Sequence, residues 1–186
     1  MTFWLIRHAQ PLIAPGVCYG ATDVPACESA TRAAARALAI ALPAGTRVIS
    51  SPLQRCEQLA QALQTLRPDL SYRLDPRLKE MNFGRWEGQR WDSIDRAEID
   101  AWTADFASHC CGGEGGECVA EVMVRVALAW DEAWDETQSH PTPTAWITHA
   151  GVIRAATLIA QGVRHVTDAS EWPKDAPGFG QWWQIA

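Results

Sequence analysis

Two apolar segments of this chain end in the same way, with a histidine followed by an alanine. The first is "WLIRHA" (residues 4–9) and the second is "AWITHA" (residues 145–150). In the first segment Arg7 directly precedes His8, and the second segment ends with His149 and an alanine. A neutral imidazole can act as a nucleophile or proton acceptor, and a guanidinium group binds planar or tetrahedral anions. These residue types at the ends of apolar segments indicate chemistry on an anion.

A third segment, "VISSPLQR" (residues 48–55), adds a cation to this set. The pattern places Arg55 in the first turn of a helix, where the helix dipole disfavours a cation by about 0.3–1 kcal/mol. A bound anion would reverse that penalty, and Arg7 would supply a second bidentate donor. We therefore predict an oxyanion pocket, best suited to a phosphoryl group, formed by Arg7, Arg55, His8 and His149.

Phosphoryl transfer requires a nucleophile, neutralisation of charge and a proton for the leaving group. His8, which lies between arginines, can serve as the nucleophile through one neutral ring nitrogen. Two carboxylates could supply the proton: Glu80 in "LKEMNFG" and Glu87 in "RWEG". We favour Glu80.

Each of these residues also has an ordinary structural interpretation. A histidine at a strand end, such as His8, is more often a satisfied polar residue than a nucleophile. Arg55 alone could lie on the surface near a helix cap, and Glu80 could pair with Lys79 or Arg85. The functional interpretation is favoured because three strand-end motifs each place an arginine or histidine at the same predicted edge of a sheet.

The elements that must position these residues follow from the hydrophobic pattern. Apolar runs alternate with helical periodicity, which predicts an α/β fold. Strands are predicted at 2–8, 46–50, 71–75, 144–151 and 180–185, and helices at 30–42, 51–63, from Val119 onward and at 152–160. The polar and aromatic segment 76–91 is predicted to be a loop. In an open parallel sheet, ligands collect outside the carboxyl ends of the strands, so His8 and His149 should face one crevice.

Two helix starts carry capping signals. Ser29 is a predicted N-cap for the first helix. For the second helix, Ser51 is the predicted cap, Pro52 the first helical residue and Gln54 the partner in a capping box.

Composition limits the class of protein. With 186 residues, of which 47% are hydrophobic, the chain is expected to form a single domain over residues 1–186. A net charge of −6 argues against nucleic acid as a partner. There is neither a secretory leader pattern nor an apolar run long enough to cross a bilayer, so we expect a cytoplasmic protein without a membrane partner. The six scattered cysteines are expected to be reduced, and a homodimer is left open.

Together, the segments "LIRHAQP", "SSPLQR", "LKEMNFGRWEG", "GGEC" and "ITHAG" resemble the histidine phosphatase superfamily, which includes cofactor-dependent phosphoglycerate mutases. The resemblance implies a three-layer α/β/α sandwich with a mostly parallel sheet. It also implies that His8 is the phosphorylated nucleophile, that Arg7, Arg55 and His149 bind phosphate, and that Glu80 donates the proton. It implies neither a cofactor nor a metal. The expected reaction is hydrolysis of a small phosphorylated substrate.

The pattern is most similar to the α-ribazole phosphatase branch. Its "YxGxTDxPL" and "LxExxFGxWEG" patterns resemble "CYGATDVPA" and "LKEMNFGRWEG" here, so α-ribazole 5′-phosphate is one candidate substrate within a panel of phosphorylated metabolites. The chain departs from the family in several places. The usual Arg-His-Gly-Glu-Thr is Arg7-His8-Ala9-Gln10-Pro11, and a common serine is Cys118. These departures concern the identity of the substrate more than the phosphoenzyme chemistry.

Two alternative functions remain at this stage. A phosphoglycerate mutase needs a second cationic site, but no lysine or arginine lies between Arg96 and Arg125, and Phe83 replaces a tyrosine of mutases. A non-catalytic phosphate-binding relic is the other alternative, in which Ala9 and Pro11 would have spoiled the geometry of the nucleophile.

The cysteine-rich segment 109–118 suggests two other chemistries, which we consider weaker. A cysteine-based phosphatase needs an arginine six residues after its cysteine, and neither Cys110 nor Cys111 has one. A soft metal site at His109, Cys110, Cys111 and Cys118 would have adjacent cysteines without a C-x-x-C pair, which is poor spacing for zinc. No metal is therefore expected.

Overall fold

The computed structural model describes residues 2–139 and 142–185. Five strands form one sheet: β1 (Phe3–Arg7), β2 (Arg47–Ser50), β3 (Tyr72–Leu74), β4 (Thr144–Thr148) and β5 (Trp182–Ile185). Their order is β3-β2-β4-β1-β5. The first four strands are parallel to their neighbours, whereas β5 runs antiparallel to β1 at the edge. The mostly parallel sheet expected from the sequence is confirmed.

The helices of the described residues are α1 (Glu28–Ala41), α2 (Gln54–Leu66), α3 (Arg96–Ala104), α4 (Val119–Ser139) and α5 (Ala150–Ala160). On one face of the sheet, Trp4 and Ile6 pack with α1 and α2 in a buried apolar cluster. On the other face, Phe3 and Leu5 pack with α4 and α5. Alternate residues of β1 thus point into two separate cores, as the two-residue repeat of a strand requires. This arrangement confirms the three-layer α/β/α sandwich.

Strand register brings the two histidines together. β1 and β4 are adjacent, and Arg7 pairs with Thr148 at the last position of the ladder. The chain leaves both strands at His8 and His149, and the His8 amide still donates to the Thr148 carbonyl (3.0 Å). The predicted crevice at the carboxyl ends of the strands is present, but His8 lines it whereas the His149 side chain is fully buried behind that of His8.

Both predicted helix caps were wrong. Helix α1 begins at Glu28 with Cys27 in the N-cap position, so Ser29 lies inside the first turn. Helix α2 begins at Gln54, two residues later than the position of Pro52 had indicated. The amide of Gln54 donates to the side chain of Asp23 (2.7 Å), a residue from a distant loop. That tertiary bond replaces the one expected from Ser51, and α2 has no side-chain cap of its own.

The segment after β3 is a loop, as predicted, but it is tightly ordered. It contains three short 3-10 turns, at Pro76–Leu78, Gly84–Trp86 and Trp91–Ser93. The loop packs against Gly20, where an added Cβ would lie 1.9 Å from the Met81 carbonyl oxygen, so only glycine fits. Helix α3, which follows, was absent from the sequence prediction.

Three further observations bear on the class of protein. Within residues 2–139 and 142–185, no helix combines the length and apolar character that crossing a bilayer requires. All six cysteines are free thiols, which agrees with the expectation of reduced cysteines. The segment 109–118 contributes to no cluster of three or more His, Cys, Asp or Glu side chains suited to a metal, judged on the described part of the chain.

Candidate active site

The five side chains selected from the sequence lie in and around one pocket at the carboxyl ends of β1, β2 and β4. The pocket has a volume of about 230 Å³, and its walls include Arg7, His8, Arg55 and Glu80. The His149 ring lies directly behind that of His8, with 5.2 Å between ring centroids. Residues from distant parts of the chain are therefore neighbours in space.

His8 is held as a neutral imidazole with one free nitrogen. The side chain is buried, and its Nδ1 lies 2.7 Å from the carbonyl oxygen of Ala9. A carbonyl can only accept a hydrogen bond, so Nδ1 carries the proton and Nε2 keeps its lone pair. Burial, with Arg55 as the second cause, lowers the pKa of His8 to about 3. At neutral pH the ring is therefore uncharged and nucleophilic.

Arg55 is completely buried and rigidly held. Its guanidinium donates to the carbonyl oxygens of Gly20 (2.6 Å) and Thr22 (2.8 Å). The ring of Tyr19 lies 5.4 Å from the guanidinium carbon. The segment "CYGATDVPA" (residues 18–26), which resembles a pattern of the α-ribazole phosphatase branch, thus holds this arginine in place. Arg55 lines the pocket, and its buried Nε has no hydrogen-bond partner among the described residues.

Arg7 also lines the pocket and is positioned by the chain near β5. Its Nη1 donates to the Pro177 carbonyl (3.1 Å), and its guanidinium carbon lies 3.9 Å from the centre of the Phe179 ring. The backbone amide of Arg7 donates to Gln181 (2.9 Å). Stacking on an aromatic face restrains the guanidinium without using its donors, so they remain available to an anion.

His149 is also buried and uncharged. Its Nε2 lies 2.8 Å from the hydroxyl of Ser51 and 3.4 Å from the Cys56 sulfur. Burial, followed by the charge of Arg55, holds the pKa of His149 well below its ordinary value. Ser51, which the sequence had suggested as a helix cap, instead orients this histidine.

The structure distinguishes the two candidate carboxylates. Glu80 lines the pocket, and its oxygens accept hydrogen bonds from the amides of Gly151 (3.0 Å) and Met81 (3.0 Å). An added Cβ at Gly151 would lie 2.3 Å from a Glu80 oxygen, so a larger residue there would displace the Glu80 carboxylate. These two hydrogen bonds hold the Glu80 carboxyl group in place at the pocket.

Glu87 is used differently. Its carboxylate accepts hydrogen bonds from the amides of Ala21 (2.7 Å), Thr22 (2.5 Å) and Phe83 (3.0 Å). It also accepts from the hydroxyl of Thr22. These bonds tie the loop that carries the Arg55 acceptors to the loop that carries Glu80, so Glu87 has a structural role.

Sequence reasoning missed one charged residue of the pocket. Arg154, from α5, lines the pocket, and its Nη2 donates to the Lys174 carbonyl (2.9 Å). Burial lowers the pKa of Arg154 from its ordinary value. A signal was present in the sequence, because Arg154 is the one charged residue of the apolar helix "VIRAATLIA" that follows His149.

Comparisons with known proteins show the family to which the chain belongs. The sequence profile of the histidine phosphatase superfamily (branch 1) matches residues 3–170. A comparison with curated protein sequences gives no significant match.

Several solved structures are similar over nearly the whole chain. Native mycobacterial glucosyl-3-phosphoglycerate phosphatase is 23% identical with a TM-score of 0.80, over 98% of this chain and 88% of that chain. The same enzyme in complex with VO3 is 26% identical with a TM-score of 0.79, over 100% and 92% of the two chains. The protein TTHB049 of Thermus thermophilus is 28% identical with a TM-score of 0.67, over 100% and 93%. With its matching profile and fold, this chain belongs to the histidine phosphatase superfamily.

Proposed function

We propose that this protein is a phosphomonoesterase that hydrolyses a small-molecule phosphate ester through a phosphohistidine on His8. The observation that carries the proposal is the state of His8: a buried, neutral ring whose Nδ1 donates to Ala9 and leaves Nε2 free. Arg7 and Arg55 line the same pocket and supply the positive charge that a phosphoryl group needs.

The reaction has two steps. In the first, His8 Nε2 attacks phosphorus, the bond from phosphorus to the ester oxygen breaks, and the carboxyl group of Glu80 protonates the departing alcohol. In the second, the Glu80 carboxylate accepts a proton from water, whose oxygen attacks the phosphohistidine. Inorganic phosphate leaves, and His8 and Glu80 return to their initial states.

The packing around Ala9 supports catalysis over a phosphate-binding relic. Ala9 is buried, and its carbonyl accepts the hydrogen bond that orients the His8 ring. The neighbouring residues are fixed by two backbone bonds, from Cys27 to Gln10 (2.7 Å) and from Leu12 to Pro25 (2.8 Å). The alanine and proline in this segment are therefore compatible with an ordered nucleophile.

Trapping the phosphoenzyme tests the proposal. Wild-type protein quenched during turnover of a ³²P-labelled monoester should carry a base-stable, acid-labile label, and His8→Ala should carry none. His165→Ala, which alters an exposed histidine, is the matched control and should retain the label. A label that persists in His8→Ala, or phosphate release that does not need His8, would contradict a phosphohistidine at this position.

We further propose hydrolysis over mutase activity. Mutases must hold a second anionic group, and the segment between Arg96 and Arg125 supplies no cation. Arg154 is the additional arginine of the pocket, and one of its donors is already bonded to Lys174. We expect net phosphate release, with negligible exchange between 2- and 3-phosphoglycerate. Efficient exchange primed by 2,3-bisphosphoglycerate would overturn this assignment.

For the natural ester, we propose α-ribazole 5′-phosphate. The support is the resemblance of segments 18–26 and 78–88, which hold Arg55 and Glu80 in the pocket. The mycobacterial protein in the structural comparison is a glucosyl-3-phosphoglycerate phosphatase, so glucosyl-3-phosphoglycerate is the ester to compare with α-ribazole 5′-phosphate. Comparing kcat/KM for the two esters decides between them.

A further inference from the structure

A second cavity adjoins the phosphate pocket. It has a volume of about 240 Å³, and it shares four wall residues with the phosphate pocket: Glu80, Phe83, Trp91 and Arg154. Because the same side chains line both spaces, the two are immediate neighbours. A phosphate held at His8 would direct the rest of its ester toward this cavity.

Aromatic rings dominate the walls of the second cavity. Phe83, Trp91, Trp102, Phe106 and Trp172 all line it. The rings form a continuous chain of contacts, with centroid separations of 5.3 Å (Phe83 to Trp91), 6.5 Å (Phe83 to Trp102), 5.3 Å (Trp102 to Phe106) and 6.0 Å (Phe106 to Trp172). Edge-to-face and tilted contacts at these distances are favourable, so the rings stabilise one another.

The glycine-rich segment 111–117 holds part of this wall in place. An added Cβ at Gly112 would lie 2.1 Å from the Phe83 carbonyl oxygen, so the two backbones are in close contact. The Asn82 amide donates to the Glu117 side chain, and the Glu117 amide donates to the Asn82 carbonyl (both 2.8 Å). These bonds fix the position of Phe83 before any ligand arrives.

The charge of the cavity is confined to its boundary with the phosphate pocket. The charged lining residues are Glu80 and Arg154, and both also line the phosphate pocket. The deeper part has apolar and aromatic side chains such as Met81, Val119 and Val122. A leaving group with its own carboxylate or phosphate would lose its hydration there without gaining a cation.

We propose that this cavity binds the alcohol portion of the substrate, and that this portion carries an uncharged, planar, fused-ring system. The proposal rests on the phosphatase function given above. Apolar cavities of about 150 Å³ hold benzene inside a protein, so a larger cavity has room for a second fused ring. Planar rings also match the aromatic walls better than a flexible polyol does, because they bury flat surface without losing hydroxyl hydration.

A pair of synthetic esters tests the cavity directly. 1-Naphthyl phosphate and phenyl phosphate have leaving groups of similar acidity and differ by one fused ring. Wild-type protein should show a kcat/KM about tenfold higher for the naphthyl ester, because more apolar surface leaves water. A ratio near one, or a preference for 3-phosphoglycerate over both esters, would overturn the proposal.

Substitutions of tryptophans inside and outside the cavity show whether the preference for the naphthyl ester arises there. Trp172→Ala should bring the naphthyl-to-phenyl ratio toward one. Trp134→Ala is the matched control, because Trp134 stacks on Trp130 (6.3 Å) outside the cavity and is 38% exposed. It should leave the ratio as in the wild type, and an equal fall in both variants would refute the assignment of the wall.

A binding measurement separates this proposal from the catalytic one. Calorimetric titration of His8→Ala, which should not turn over, with 1-naphthyl phosphate and with phenyl phosphate should show tighter binding of the naphthyl ester. Equal affinities would contradict the cavity proposal. If the wild type releases no phosphate from either ester, the phosphatase function fails. If it hydrolyses both esters equally, only the cavity proposal fails.

Discussion

Acid should destabilise this fold through His8, and the substitution His8→Asn should remove that effect. The pKa of His8 is about 3 in the folded protein, against an ordinary value of 6.5. Below pH 6.5 the unfolded chain therefore binds a proton that the folded chain does not. The stability associated with His8 is fully present above pH 6.5 and is lost as the pH falls toward 3.

The size of the effect follows from the pKa difference. At pH 4.5 the unfolded side chain is two pH units below its pKa, while the folded side chain is still mostly neutral. At about 1.4 kcal/mol per unit, the free energy of unfolding should fall by on the order of 3 kcal/mol between pH 7.0 and pH 4.5. Asparagine does not titrate in this range, so His8→Asn should lose about 3 kcal/mol less than the wild type over the same interval. His149 and the carboxylates are present in both proteins and largely cancel in the comparison.

Urea unfolding followed by tryptophan fluorescence at the two pH values measures this difference. Buffers should lack phosphate, because bound phosphate would stabilise the folded state by mass action. His165→Asn, in which an exposed histidine is replaced, should behave like the wild type. Equal losses in the wild type and His8→Asn would refute the reasoning, and so would an NMR titration of the His8 ring with a midpoint near 6.5.

Four further substitutions test the roles of residues in and around the pocket. Glu80→Gln should lower kcat/KM for alkyl phosphates about 10²–10⁴-fold but affect p-nitrophenyl phosphate far less, since its leaving group needs no proton; equal losses for both esters would rule out Glu80 as the acid. Gly151→Ala should show the same ester-selective loss, because its Cβ would lie 2.3 Å from a Glu80 oxygen, and unselective kinetics would contradict this contact. Glu87→Gln should lower the free energy of urea unfolding by about 1–3 kcal/mol, because three backbone amides lose a charged acceptor, and unchanged stability would contradict its structural role. Arg55→Lys should raise the inhibition constant of vanadate about tenfold or more, because lysine lacks the fork that serves two carbonyls and an anion together; an unchanged constant would remove Arg55 from the anion site.

Local patterns were sufficient for the central strands and for the residues that follow them. β1 and β4 were predictable because each is a short apolar run ending at a histidine, and β2 because its branched residues precede the predicted turn. Once these strands are placed in a parallel sheet, the positions of His8, His149 and Arg55 follow from chain connectivity alone. Helix α3 could not be predicted in the same way, because it has no fully buried residue and hence no clear apolar stripe.

Contacts between distant segments decided the helix caps and the different roles of the two glutamates. Ser51 has the sequence features of a helix cap, but its hydroxyl meets His149, which lies 98 residues later, while Asp23 caps the helix from 31 residues earlier. Glu80 and Glu87 lie seven positions apart in the same loop. Only the packing of that loop against the Gly20 segment shows that the Glu87 carboxylate accepts hydrogen bonds from backbone amides. Hydrophobic periodicity reports which face of an element is buried, but it carries no information about which distant group meets that face.

The aromatic cavity illustrates the same limit. Its rings come from positions 83, 91, 102, 106 and 172, which lie in three separate segments and share no spacing. The sequence contains ten tryptophans, and nothing in their spacing shows which of them line a cavity. The sequence by itself determined the sheet, its order of motifs and the chemistry of the strand ends, because these depend on neighbouring residues and on chain direction. The tertiary structure alone showed which carboxylate lines the pocket, how His149 is supported and what shape the cavity has, because each depends on side chains that meet only after the loops pack.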